Sequence, residues 1–142
     1  MKTLGMLTVV SLPDLNIKNV IAKVDTGAYS GALHATEIKE VVSKSGKKSL
    51  VFYALGNPDY KSQTQNYRRK RVISSNGHME ERYIIQTLLE VDDKSYSTFI
   101  SLTNRSSMTK GVLIGRQFLR SHNFLVDVRQ GTQYRNAVKD NS

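Results

Sequence analysis

Short apolar runs separated by turn-forming residues recur along most of the chain, the pattern of an all-β domain. An apolar stretch from Leu4 to Leu12 ends at Pro13-Asp14 and reads as a strand stopped by a proline turn. Asn19 to Val24 reads as a second strand, running into Asp25-Thr26-Gly27. Leu50 to Leu55 reads as a third, closed by Gly56-Asn57-Pro58. Tyr83 to Val91 is long and rich in Ile, Leu and Val. Ser95 to Leu102 alternates, with Tyr96, Thr98, Ile100 and Leu102 on one face and Ser95, Ser97, Phe99 and Ser101 on the other. Asp92-Asp93 between these two runs predicts a hairpin turn. A final strand is expected from Phe124 to Val128.

Two stretches look helical. Arg116 to His122 follows a glycine and sets Phe118, Leu119 and His122 at helical spacing. Ala35 to Val42 fits a helix or a strand equally well. Residues 56 to 82 differ in composition. A polar segment, Lys61 to Tyr67, leads into Arg68-Arg69-Lys70-Arg71, and Ser74-Ser75-Asn76-Gly77 then gives a tight-turn signal. Asn-Gly suits a hairpin because both positions tolerate positive φ. With Val72-Ile73 before it and Tyr83-Ile84-Ile85 after, it predicts a protruding hairpin on a basic approach. After Gly131 the sequence turns polar, so the expected division is a domain over 1–130 and a fraying tail over 131–142.

A length of 142 residues suits one domain, and 39% hydrophobic with 23% charged residues is ordinary for a globular chain. The absence of cysteine excludes a disulfide scaffold, a thiolate metal site and a cysteine nucleophile. No apolar run approaches the roughly 20 residues of a membrane helix. The N-terminal apolar run has one basic residue and no small-residue cleavage site, so it is read as a strand rather than a leader, and the cytoplasm is the expected compartment. Lys and Arg number 21 against 12 Asp and Glu, a formal charge of +9, which suggests an acidic partner.

The first candidate for chemistry is Asp25-Thr26-Gly27-Ala28. A hydrophobic strand delivers the acid into a tight loop, and Gly115 follows Asp25 by ninety residues at the end of the apolar run Val112-Leu113-Ile114. Aspartic peptidase lobes pair two such elements. Metal-free peptide hydrolysis needs a base to activate water and an acid to protonate the carbonyl oxygen. Two carboxylates about 3 Å apart serve as both, because like charges that close cannot both ionise. The chain carries Asp-Thr-Gly once, so a dyad requires two chains on a two-fold axis. The plainer alternative is a loop aspartate capping a turn.

From Gly5 to Val128 the sequence resembles the retropepsin-like peptidases. Within them it is similar to the group usually labelled ATP-dependent zinc proteases and associated with RimK-type ATP-grasp ligases. The resemblance is carried by Val10-Ser11-Leu12-Pro13, Ala22-Lys23-Val24-Asp25-Thr26-Gly27-Ala28 and Ala32-Leu33-His34-Ala35. It continues through Ser74-Ser75-Asn76-Gly77 with Glu81-Arg82, Ser101-Leu102-Thr103-Asn104-Arg105 with Met108, Leu113-Ile114-Gly115-Arg116 and Leu125-Val126-Asp127. It implies a closed β-barrel lobe with one short C-terminal helix, a flap hairpin, and a homodimer with Asp25 at its centre. Thr26 and Gly27 would shape the loop, and Gly115 would buttress it. Relatives often carry Arg directly after the Asp-Thr-Gly-Ala run, where this chain has Tyr29-Ser30-Gly31. Many acid-active aspartic peptidases carry Ser or Thr where this chain has Ala28. Without that hydroxyl the pair is expected to stay monoprotonated to higher pH, which suits near-neutral conditions.

The zinc and ATP of the label find little support in the residues. His34, His78 and His122 are far apart with no metal-peptidase spacing, and no phosphate-loop motif occurs, so no metal and no cofactor are expected. The Arg68, Arg69, Arg71 cluster has three readings: a solvated edge, a nucleic-acid patch, and a surface steering an acidic peptide toward the cleft. Nucleic acid is the weakest of the three. The expected activity is therefore a homodimeric aspartic endopeptidase, acting on acidic or glutamate-rich peptides, with a functional link to an ATP-grasp glutamate ligase. Asp25, Thr26 and Gly27 would form its catalytic loop, with Ala28, Asn76, Gly77 and the arginines contacting substrate. The alternative is a non-catalytic module of the same fold binding an acidic peptide or RNA.

Overall fold

A computed structural model describes residues 2–73, 77–104 and 110–135. The N-terminal apolar run forms two strands, β1 (Lys2–Gly5) and β2 (Leu7–Leu12), parting at Met6. The Met6 N–H donates to the Gln130 carbonyl at 2.9 Å, and its own carbonyl accepts from the Val24 N–H at 2.9 Å. These bonds hold the chain where it changes partner. Pro13 then opens a 3-10 turn, Asn16 closes it at φ 58°, and β3 (Ile17–Val24) runs back antiparallel to β2.

The ambiguous segment from Ala35 is strand. It lies in β4 (Gly31–Val42), whose first residues belong to the barrel and whose later ones pair with β5 (Lys48–Ala54). A register shift between Thr36 and Lys39, with Glu37 at φ 52°, breaks the alternation that would have marked a strand. The polar segment supplies β6 (Lys61–Thr64), which pairs with β5, and the basic run forms β7 (Tyr67–Ile73). β7 pairs antiparallel with the outer half of the thirteen-residue β8 (Met79–Val91) from Tyr67↔Ile85 to Ile73↔Met79. This two-stranded ribbon is the expected flap hairpin. Gly77, at φ 83°, lies exposed within it, and Asn76 lies outside the described residues.

The inner half of β8 pairs with β9 (Lys94–Thr103) through a turn in which Asp92 and Asp93 both have positive φ, 51° and 65°. The chain returns as β10 (Val112–Ile114), the helix α1 (Arg116–Ser121) and β11 (Phe124–Asp127), which pairs parallel with β1. Short as it is, β10 lies between β3 and β4 and bonds to both. The order β10-β3-β2-β8-β9-β4 therefore returns to β10 and closes a six-stranded barrel. Leu12, Ile17, Leu33, Ile85, Leu89 and Ile114 fill it, each at most 2% exposed. Beyond the barrel, Thr132–Tyr134 form a further 3-10 turn. Gly131 before it has φ 83°, and a Cβ there would lie 2.2 Å from the Leu7 carbonyl oxygen.

No helix among the described residues is long and apolar enough to cross a membrane.

Candidate active site

Alternating burial of Val20, Ala22 and Val24 fixes β3 in the barrel wall, so Asp25 emerges at its rim. The Asp25 N–H donates to the Ile114 carbonyl at 2.8 Å, which ties the acid loop to β10. The Gly27 N–H donates to Asp25 Oδ1 at 3.0 Å, and the Ala28 N–H to the Asp25 carbonyl at 3.2 Å. A Cβ on Gly27 would lie 3.3 Å from that same Oδ1, so a side chain there would crowd the carboxylate. Asp25 is half-buried, while Thr26 and Gly27 are exposed.

The loop is closed from behind by the start of α1. A Cβ on Gly115 would stand 2.6 Å from the Ser30 carbonyl carbon and 2.7 Å from the Tyr29 carbonyl oxygen, so two stretches of backbone touch there. The Arg116 N–H donates to the Ala28 carbonyl at 2.8 Å, and the Gln117 N–H to the Tyr29 carbonyl at 3.0 Å. The Arg116 guanidinium donates to the Gly27 carbonyl at 3.1 Å and lies 5.5 Å from the Tyr29 ring centre. Sequence reasoning assigned Arg116 no role. Its position directly after Gly115, at a helix start packed on the acid loop, was the available signal.

A cleft of about 330 Å³ opens over Asp25. One wall is the loop itself, with Ala28 and Tyr29, and the other is the ribbon, which presents Lys70, Arg82 and Ile84. Arg68 lies over the Phe99 ring at 5.3 Å, on the face that Lys70 shares by strand alternation. Arg69 and Arg71 take the opposite face. Arg69 pairs with Glu40 and Glu81, both at 3.7 Å, and Arg71 with Glu81 at 3.8 Å. The basic cluster thus divides between two surfaces, and Arg82, which sequence reasoning named only within a motif, joins Lys70 at the cleft.

On the outer face the ribbon is fastened to β4. Tyr67 Oη donates to Glu40 Oε2 at 2.6 Å and Tyr83 Oη to Glu40 Oε1 at 3.4 Å. The Tyr67 hydrogen bond, helped by Arg69, holds the Glu40 carboxyl below its ordinary range against the opposing effect of burial. The same bond to Glu40, with burial, pushes the Tyr67 phenol up to about 12. Burial first, and then Glu40, raises Tyr83. The contact is complete between the two titrations. It weakens as pH falls through the lowered Glu40 value, and it is lost at the other end as pH rises from the ordinary tyrosine value of 10 through about 12. Ultraviolet titration of phenolate is expected to show Tyr67 as the late tyrosine, at about 12, in the wild type, with Tyr83 raised as well. In Glu40→Gln Tyr67 should move back toward 10, and an unmoved titration would contradict the assignment.

The histidines do not converge. His34 is buried in β4, with Nδ1 3.3 Å from the Thr103 carbonyl oxygen and its ring against Gly56. His78 is exposed in the ribbon. His122 ends α1, with Nε2 3.1 Å from the Ser97 carbonyl oxygen and its ring 4.9 Å from that of Tyr96. Among the described residues no group of three or more His, Cys, Asp or Glu side chains could hold a metal ion. The donor set of the described residues does not fit the zinc that the family label implies.

Comparison with known proteins bears directly on this loop and barrel. Residues 3–135 match the family described as RimB-like, "Retropepsin-like aspartic endopeptidase RimB". The chain belongs to the RimB-like family. Over 122 residues it is 29% identical to a "Probable alpha-L-glutamate ligase" of Shewanella halifaxensis, covering 82% of this chain and 26% of that protein. A protein of the same name from Desulfotalea psychrophila is 30% identical over 123 residues, again covering 82% of this chain and 26% of the relative. The chain therefore spans about a quarter of the length of the curated relatives it matches. Among solved structures, a Legionella pneumophila protein of unknown function superposes with a TM-score of 0.72 at 25% identity, covering 99% of this chain and 98% of that one. The closed barrel is thus the fold of the RimB-like family, and the Asp25 loop sits at its rim.

Proposed function

We propose that the chain is an aspartic endopeptidase that works as a homodimer. The observation that carries this reading is the Asp25 loop. Its carboxylate is oriented by the Gly27 N–H, lies half-open at a cleft, and is the one Asp-Thr-Gly acid that each chain can bring. Two copies meeting on a two-fold axis would place both Asp25 side chains side by side, sharing one proton.

In that pair the ionised carboxylate takes a proton from water while the water oxygen bonds to the scissile carbonyl carbon. The protonated carboxyl gives its proton to the carbonyl oxygen. Collapse of the tetrahedral species breaks the C–N bond: the departing nitrogen takes up the proton first removed from water, and a hydroxyl of the diol returns its proton to the carboxylate that had given one, so the pair is monoprotonated again. Thr26, which is exposed, would reach across to the partner chain in such a dimer. The ribbon would lie over an extended peptide, holding it by main-chain hydrogen bonds and limiting access of bulk water.

The substrate we assign is an acidic, glutamate-rich peptide. Its support is the basic wall of the cleft together with the name of the relatives, which places related sequence in probable glutamate ligases. The same relatives support a functional link to an ATP-grasp ligase. The test is a concentration series in which cleavage of a glutamate-rich peptide and sedimentation are measured together. Specific activity should rise in step with the dimer fraction. A chain that stays monomeric and cleaves at full rate would exclude the shared dyad.

A further inference from the structure

The ribbon carries five basic residues, Arg68, Arg69, Lys70, Arg71 and Arg82, and they are not equivalent. Arg69 and Arg71 face Glu40 and Glu81, so carboxylates of the chain itself meet their charge. Lys70 and Arg82 are direct cross-strand partners, and both line the cleft that holds Asp25. Among the described residues no carboxylate forms an ion pair with Lys70, and Arg82 has only the exposed Glu80, at 3.3 Å on its own strand.

Like charges set directly opposite each other in an antiparallel pair oppose folding. Local conflicts of this kind persist where a ligand resolves them. An anion between the two side chains would do so. The cleft floor is a poor candidate, because Asp25 makes no ion pair with either cation within 4 Å. A side chain entering from outside would fit. Arg68 lies two residues along β7 on the same face, and Ile84 lines both the Asp25 cleft and the hollow beneath Arg68 and Phe99. Same-side residues of an extended peptide repeat every two positions, as the cations do along the ribbon.

We propose that Lys70 and Arg82 form the specificity subsite of the cleft, reading an Asp or Glu side chain of the bound peptide, with Arg68 reading a second acid two positions away. This rests on the reading of the cleft as a peptide site. It goes beyond it by separating cations that select substrate from cations that hold the ribbon. An extended peptide whose acidic residues all project away from the ribbon would gain nothing from the subsite.

The test uses a set of glutamate-rich peptides in which each Glu is replaced in turn by the isosteric Gln. Wild type should lose about tenfold or more in kcat/KM at one position and less at the position two removed. Lys70→Gln and Arg82→Gln should each shrink that ratio. The double variant should bring it close to one, and Lys70→Glu should prefer a Lys-substituted peptide at the same position. Lys44→Gln removes an equal charge from an exposed turn far along the chain and should leave the ratio unchanged. A double variant that keeps full Glu-over-Gln discrimination would overturn the subsite, as would an equal loss in Lys44→Gln. The same peptides are also measured by fluorescence anisotropy on Asp25→Asn protein, with and without the Lys70 and Arg82 changes. Discrimination in binding that needs Lys70 and Arg82 supports the subsite even where no cleavage is seen. Equal binding of Glu and Gln peptides overturns it even where cleavage stands.

Discussion

Asp25→Asn is expected to lower the rate of peptide cleavage by about 10³-fold or more, the scale on which removal of a positioned acid–base group acts. Asn fills the same space and can keep an acceptor oxygen toward the Gly27 N–H, so the loop bonded to Ile114 and Gly27 should persist. A thermal melt close to that of wild type would show that the loss is chemical. The shared dyad adds a sharper expectation. When wild type is mixed with excess Asp25→Asn protein and allowed to re-equilibrate, activity should fall as mixed dimers form, because each mixed pair holds one carboxylate. Wild-type activity that is indifferent to the variant, or a variant with full activity, would remove the mechanism proposed for this loop.

Gly115→Ala is expected to have the largest effect on folding among substitutions at the site. Its φ of −91° is open to any residue, so the demand at this position is for space alone. A methyl group would press on the backbone of Tyr29 and Ser30 at 2.6–2.7 Å, and backbone cannot swing aside as a flexible side chain can. Overpacking of this kind costs about 1–3 kcal/mol, a fall in Tm on the order of 3–10 °C for a domain of this size. The loop that must yield is the one carrying Asp25, so kcat should fall by more than the lost folded fraction accounts for. Calorimetry and cleavage measured on the same sample separate the two effects. An unshifted Tm would show that the contact between Gly115 and the loop is not as tight as the structure gives it.

The elements that were legible in the sequence are those governed by local rules. Ser95 to Leu102 alternates without interruption and is strand, and Asp92-Asp93 makes the turn that its residue types favour. Arg116 to Ser121 is helix, following the glycine that announced it. What local pattern did not reveal depends on partners distant in sequence. The run from Leu4 to Leu12 is apolar over most of its length, and only the bonds from Met6 to Gln130 and Val24 show why it becomes two strands. Ala35 to Val42 lost its strand signature to the register shift at Glu37.

The site divides in the same way. Asp25, Gly27 and Gly115 sit in short motifs whose chemistry can be read one residue at a time. The assignment of Arg69 and Arg71 to one surface and Lys70 to the other needs the position of Glu40, which is brought beside the ribbon by a strand from another part of the chain. Arg82 becomes part of the cleft only through its register with Lys70.

The three-residue closing strand has a consequence for biosynthesis. Val112 joins Ala22 and Leu33, segments made 90 and 79 residues earlier, so the ring cannot be completed until Val112 has been made. At about 5–20 residues per second, the ribosome adds Gly115 roughly 5–20 s after it has added Asp25. Throughout that interval the nascent polypeptide carries its acid without the shelf that orients it. On the mechanism proposed for the loop, a nascent chain therefore stays inactive until Gly115 has been added.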